Sequence, residues 1–382
     1  MRFVVDARYA GPKPSGIGEY VRAFGKRLPE LAPEADFCFW VRPGTTPFAS
    51  GAKVSYETVR AAPASLQTLL APSRLARLEP GDVFHGPANV LGFGLPCPAI
   101  VTVHDLMWLE HLDWCQPRPW LRPISKRYYG TGIRRALNEA ARVLTVSHAS
   151  ADAILRLFPE VKPKLVVTRN ACEPHFRAPE SLAAAEQVAQ RSVGAAGPYF
   201  LVVGQNQPSK AHDVALRAFA TIAKEVPQRL VLVQRLEPGR GLHRLAQELG
   251  VAERVSFVAG VSQEQLLAVF QAATALVQPS LAEGFGLPAL EAIACGCPVI
   301  ASDIPPLREV LGDSGTFAPP GDAAALATAL RKLGNDAPLR AELRARGLEQ
   351  AKTFSWDETA ALTWQVYREV AATAASAAPS RH

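Results

Sequence analysis

A chain of 382 residues, 48% hydrophobic and without long polar runs, exceeds one ordinary domain and suits two of roughly 150–200 residues each. No apolar segment reaches the ~18 residues of a membrane span, and the first ten residues are broken by Arg2, Asp6 and Arg8, so neither an anchor nor a signal peptide is read and a cytoplasmic protein is expected. The net charge of +6 belongs to the first half: residues 1–175 carry 22 Lys and Arg against 15 Asp and Glu, the remainder 19 against 20, so nucleic acid, anionic lipid or a phosphorylated substrate would be drawn there.

Arg2–Ala7 reads as a first strand. Gly16, Ile17 and Gly18 then form a glycine loop before an amphipathic helix ending near Leu31, but Val21 stands where a dinucleotide fingerprint wants a third glycine. The loop is either a phosphate or acceptor contact or a plain tight turn. Short apolar runs recur at Phe37–Val41, Asp82–His85, Ala99–His104, Arg142–Ser147 and Lys164–Asn170, a pattern that fits a parallel sheet buried on both faces. Ligands gather at the carboxyl ends of such strands, which draws notice to His85, His104, Asp105, Ser147 and Asn170. Between Trp114 and Arg135, six Arg and Lys alternate with Trp120, Tyr128 and Tyr129, which reads as an ordinary packed helix or as a basic, aromatic surface for anionic lipid.

Residues 173–198, rich in Pro, Ala, Glu and Gln, read as a linker, with a second domain from Tyr199. There the runs Tyr199–Val203, Arg229–Gln234, Arg254–Val258, Ala275–Gln278 and Pro298–Ser302 alternate with helical patterns at His212–Glu225, Gly241–Leu249, Ser262–Gln271 and Pro288–Cys295. That alternation predicts a second parallel sheet with helices on both faces. After Gly321 the pattern is helical: Asp322–Leu333, Pro338–Thr353 and Trp356–Val370. The six cysteines lack C-x-x-C or metal-finger spacing and are expected as free thiols.

The stretch with the most chemistry follows Gln278. Gly284 and Gly286 permit close backbone approach to a ligand, Pro288 suits a helix's first turn, and that turn's free N–H groups suit phosphate or a polar sugar. Glu283 lies before the helix and Glu291 within it, so two separate roles are implied. Gly204 opens the loop after the second domain's first strand, and Ser209 and Lys210 follow in it. Lys210 is either a counter-charge for a departing diphosphate or a solvated lysine. No Asp-x-Asp offers a metal clamp.

The run SLAEGFGLPALEAIACGCPVIAS from Ser280 to Ser302 resembles the E-x7-E signature of the retaining GT-B glycosyltransferases, group 1, family 4. SGIGEY from Ser15, VTVHDL from Val101, VSHAS from Val146, VAGVS from Val258 and FSW from Phe354 extend the resemblance over nearly the whole chain, closest in look to bacterial polysaccharide mannosyltransferases. The resemblance implies an α/β GT-B fold: two Rossmann-like domains facing across a cleft. They are expected over residues 1–175 and 176–355, with a helix over 356–374 crossing back to the first. It implies Glu283 at the transferred sugar, the amides of Gly284, Phe285, Gly286 and Leu287 on hydroxyls and phosphates, and Glu291 on the ribose. His104 is implied to touch the sugar from the other domain.

The chain departs from the pattern in having Ser209 before Lys210 where an Arg-Lys pair is usual, Ala211 where Asn or Gly is usual, and Gln234 for a common glycine. Lys13 or Arg235 could supply the missing cation. The implied activity is metal-independent transfer of a hexose, with mannose from GDP-mannose favoured over a UDP-sugar. The acceptor would be a glycan or lipid-linked molecule at the inner face of the membrane, with no nucleic-acid partner and no cofactor. A sugar-nucleotide epimerase and an inactive sugar-nucleotide binding protein are the competing readings.

Overall fold

The computed structural model describes residues 1–11, 15–194, 197–234 and 240–377. They fall into two compact units, Met1–Ala171 together with the residues from Ser355 onward, and Cys172–Phe354. Each is built on its own all-parallel sheet.

The first sheet comprises β1 (Arg2–Asp6), β2 (Asp36–Val41), β3 (Val54–Thr58), β4 (Val83–Gly86), β5 (Ala99–Val103), β6 (Arg142–Thr145) and β7 (Leu165–Val167). Their order is β3-β2-β1-β4-β5-β6-β7. The central strands β1, β4 and β5 are buried almost throughout, which is why they appear in the sequence as continuous apolar runs. β3, absent from the sequence reading, is the edge strand VSYET, half-exposed and alternating with Ser55 and Glu57, so its apolar signal is too thin to recognise.

The helix Trp356–Ala377 returns to this unit. Tyr367 stacks on Phe3, with ring centroids 5.3 Å apart, and its hydroxyl meets His85 Nδ1 at 2.7 Å. His85 Nε2 meets Thr102 Oγ1 at 2.8 Å, and that hydroxyl meets Tyr20 at 3.1 Å. Of the two readings open to a strand-end histidine, a lining residue or a satisfied structural one, His85 takes the second, both ring nitrogens being partnered. It is buried within a hydrogen-bond network that fastens the last helix, and burial lowers its pKa to about 3. Ser147, marked on the same grounds, is buried and caps the helix His148–Leu157 by accepting from Ser150 N at 2.9 Å. Asn170 is buried too, its backbone N–H donating to Val146 O at 3.2 Å.

The second sheet comprises β8 (Tyr199–Val203), β9 (Arg229–Gln234), β10 (Val255–Ala259), β11 (Ala275–Gln278), β12 (Val299–Ser302) and β13 (Gly315–Ala318), in the order β10-β9-β8-β11-β12-β13. β13, an edge strand of three half-buried residues and the buried Ala318, is the second strand that the sequence pattern does not reveal. The stretch read as a linker instead holds a helix, Leu182–Val193, capped by Ser181 and closed by Gly194 at φ +62°. Its Ala185, Ala189 and Val193 are buried, and the helix packs on Gln263–Ala272. A stripe of small residues four apart is a helical face, which composition alone concealed.

In this strand order the chain reverses direction across the sheet between β8 and β11. Loops leaving the carboxyl ends of those two strands diverge there, and open α/β sheets bind ligands at such a point.

Candidate active site at the switch point of the second sheet

The loop after β8 begins at Gly204, whose φ of +135° favours glycine and whose amide donates to Val233 O at 3.0 Å. It closes in a single 3-10 turn, Pro208–Lys210, followed by Ala211 at φ +45°, ψ +45°. Ala211 thus occupies the left-handed region, where a Cβ is strained by ~1–2 kcal/mol. That is the physical reason why glycine or asparagine suits the position.

The loop after β11 lies against this one: Leu281 N donates to Ser209 O at 2.7 Å. Ser209 itself is buried, so its part here is to join the loops through its backbone.

The two loops meet at Glu283. Lys210 Nζ stands 2.6 Å from both of its carboxylate oxygens. Oε1 also accepts from Ser280 Oγ at 2.7 Å and Gln278 Nε2 at 3.0 Å. With the Glu283 side chain only 8% exposed and that of Lys210 25%, this is a largely desolvated ion pair rather than a solvated lysine beside a free acid. His212, the first residue of the helix His212–Ile222, is buried nearby. Burial, and then the Lys210 charge, lower its pKa to about 4. Gln234, the residue standing for a usual glycine, reaches His212 Nδ1 with its amide at 3.5 Å. Sequence reasoning missed Gln278, Ser280 and His212 as parts of the site. Ser280 opens the signature and Gln278 ends a strand, so position gave a faint signal for both; His212 had none.

Gly286 starts the helix Leu287–Ala294 at φ +115°, and a Cβ there would come within 2.6 Å of Leu307 Cδ2. Glycine is needed for both conformation and space. Pro288 takes the second helical position, where no N–H is required. The Phe285 side chain is buried against Phe354, 5.6 Å between centroids, so it anchors the turn. Gly284 and Leu287 are half-buried. Glu291 stands half-buried inside the helix, near enough to the thiols of Cys172 and Cys295 to reinforce the rise in their pKa that burial causes.

In the first unit, His104 follows β5. Its Nε2 lies 2.8 Å from Pro87 O and so donates, and its amide donates to Asn89 Oδ1 at 2.7 Å. Burial lowers its pKa to about 4, so the ring is neutral with Nδ1 as an acceptor. Gly16, Ile17 and Gly18, expected as a loop before the helix, are instead the first three residues of the helix Gly16–Leu31, exposed, half-buried and buried in turn, with Ser15 at its N-cap. Lys13 and Arg235 lie outside the described residues. Among the described residues no group of three His, Cys, Asp or Glu side chains is placed to hold a metal ion, no helix is long and apolar enough to cross a membrane, and all six cysteines are free.

The arrangement suits a ligand that ends in a polar ring beside Glu283 and carries negative charge toward Lys210 and the first turn of Leu287–Ala294. A family model for glycosyl transferases group 1 matches residues 185–350, and one for the glycosyl transferase 4-like domain matches residues 15–171. The chain is 34% identical over 293 residues to O-antigen chain mannosyltransferase B of Escherichia coli, covering 75% of this chain and 74% of that protein. It is 32% identical over 280 residues to a D-inositol 3-phosphate glycosyltransferase of Stackebrandtia nassauensis, covering 69% of this chain and 61% of that protein. Among solved structures, HepE of Anabaena, in complex with UDP-glucose, matches with a TM-score of 0.69 over 98% of this chain and 100% of that one; at 17% identity the likeness is one of fold.

Proposed function

Because this chain belongs to the group 1 glycosyltransferases and is a hexosyltransferase built from the two Rossmann-like domains of the GT-B fold, we propose that it transfers mannose from GDP-mannose, with retention, to a glycan or lipid-linked acceptor of cell-surface polysaccharide or lipopolysaccharide assembly. The observation that carries this reading is the Lys210–Glu283 pair at the switch point, with the helix Leu287–Ala294 opening beside it. The likeness to an O-antigen mannosyltransferase favours the sugar and the pathway class. A UDP-hexose is the second reading, favoured by the fold likeness to a protein solved with UDP-glucose.

Both Glu283 oxygens are held by the Lys210 ammonium, and Oε1 by two further donors, so this carboxylate is poorly disposed to act as a nucleophile. That supports a front-face transfer. The bond from the anomeric carbon to the donor's phosphate oxygen breaks, the bond to the acceptor oxygen forms on the same face, and the acceptor's proton passes to the departing phosphate. Lys210 and the positive end of the helix would oppose the charge growing there. Gly204 lets the backbone approach the diphosphate, Ser209 holds the loop, and the amides of Gly284 to Leu287 take hydroxyls and phosphates. Glu291 would take the ribose, and neutral His104 would accept from a sugar hydroxyl. The first helical turn, Gly16, Ile17 and Gly18, would take the acceptor or a phosphate. The reaction would run at the cytoplasmic face, where Trp120, 72% exposed, and Ile124, 64% exposed, offer anchors beside Arg118 and Arg127.

A thermal-shift series over sugar nucleotides tests the donor, since a ligand at ~100 times its dissociation constant adds about 2.7 kcal/mol. GDP-mannose should stabilise the chain and label a membrane extract. Stabilisation without transfer would leave only a binding protein, and rearrangement of donor supplied alone would indicate an epimerase. Flotation with anionic vesicles at low salt tests the membrane contact: protein left at the bottom would refute it.

A further inference from the structure

In the first unit, the helix Arg122–Glu139 carries Arg122, Lys126, Gly130 and Arg134 at four-residue intervals, a stripe along one side. The stripe borders a cavity of about 570 Å³ that is also lined from the short helices Met107–Glu110 and Leu112–Cys115. Trp108 supplies an apolar wall, held by stacking on Tyr129 at 3.7 Å between centroids. At Gly130 the cavity is open: apart from its chain neighbours and the backbone of its own helix, no atom lies within 4 Å of where a Cβ would stand. Two carboxylates share the lining. Glu110 is engaged by Arg156, which leaves Asp113 against three cations.

Among the described residues none of these three cations forms an ion pair. Arg122 donates from Nε to Gln116 O at 3.0 Å, and Arg134 lies 5.4 Å from the centre of the Phe158 ring. Like charges four residues apart on a helix repel, so the stripe works against the helix that carries it. Three cations without an ion pair, against the one carboxylate of Asp113, leave a net positive charge around a space of ligand size, which suits an anion of more than one charge, and two guanidinium groups suit the forked oxygens of phosphate.

We propose that this cavity is a second binding site, for a phosphate or diphosphate ester, with Arg122, Lys126 and Arg134 taking the oxygens and Trp108 covering the adjoining apolar or sugar part. The assignment does not depend on which donor is used at Glu283. The same ester chemistry occurs in lipid headgroups and in soluble phosphorylated molecules, and the experiment separates the two.

Inorganic diphosphate is titrated calorimetrically into the full chain carrying Lys210→Ala, which removes the cation at the other site. Saturable binding is expected, weakened about ten-fold or more by Lys126→Gln with Arg134→Gln, as for lost charged hydrogen bonds. Gly130→Leu, which fills the space without changing charge, should weaken it as well, whereas Arg74→Gln, an exposed cation of the same unit outside the lining, should leave it intact. Should Gly130→Leu fail to fold, the charge variants decide alone. Absence of saturable binding overturns the proposal, and so does equal weakening by Arg74→Gln, which would mean a diffuse field and no site. Flotation then identifies the source: if Gly130→Leu also releases the protein from phosphatidylglycerol vesicles, the ester is a headgroup; if vesicle binding persists while diphosphate binding is lost, it is soluble.

Discussion

Replacing Lys210 with methionine keeps the length of the side chain and removes its charge, leaving the Glu283 carboxylate with Ser280 and Gln278 as its two remaining donors. Removing one partner of a buried ion pair destabilises by ~3–5 kcal/mol. Here Lys210 is 25% exposed and two neutral donors remain, so a loss of about 2–3 kcal/mol is expected. For a domain of this size that is a fall in melting temperature of about 5–10 °C. Glu283→Gln should cost less, because an amide can keep part of the hydrogen bonding, and the double variant should recover part of the combined loss. A coupling of about 1–3 kcal/mol would result. Urea midpoints of the four proteins measure it. Turnover of the donor that stabilises the wild type should fall about 100-fold in Lys210→Met, as when one preorganised electrostatic donor is removed. Strictly additive midpoints together with intact turnover would refute both the pair's energetic role and its place at the leaving group.

Glu283→Gln should chiefly lower kcat and Glu291→Gln chiefly raise KM for the donor; identical kinetic signatures would contradict their separate roles. His85, His104 and His212 are held neutral by burial, with pKa values of about 3, 4 and 4 against an ordinary 6.5. Above pH 6.5 folded and unfolded rings are both neutral and contribute nothing. As pH falls, the unfolded chain takes protons that the native rings refuse, so stability drops by about 2 kcal/mol per ring at pH 5. Their NMR ring signals should stay unshifted between pH 7 and pH 5, and any of them titrating near 6.5 would remove that residue from the account. Ala211→Gly relieves the left-handed strain at the price of a more flexible unfolded chain, so it should be neutral or stabilising by up to ~1 kcal/mol, whereas Ala211→Val should destabilise clearly. A glycine variant that melts well below the wild type would contradict this.

Elements whose signals are local were legible in the amino-acid sequence. Buried central strands such as Ala99–Val103 and Ala275–Gln278 must be apolar on both faces, and Gly286 and Pro288 mark a turn into a helix whatever surrounds them. The edge strands β3 and β13 were hidden, because an edge needs little burial and so little apolar pattern. The helix Leu182–Val193 was hidden as well, since only the partner it packs on distinguishes its alanine stripe from a linker. Tertiary structure alone decided the chemistry between distant residues. Lys210 and Glu283 are 73 positions apart, and their pairing follows from strand order, which places β8 beside β11. The same holds for the three cations along Arg122–Glu139: their number was visible in the chain, but the open space they border arises from how Met107–Cys115 folds beside them. A charge can be read from one residue, whereas its solvation and its partner are properties of what the fold brings next to it.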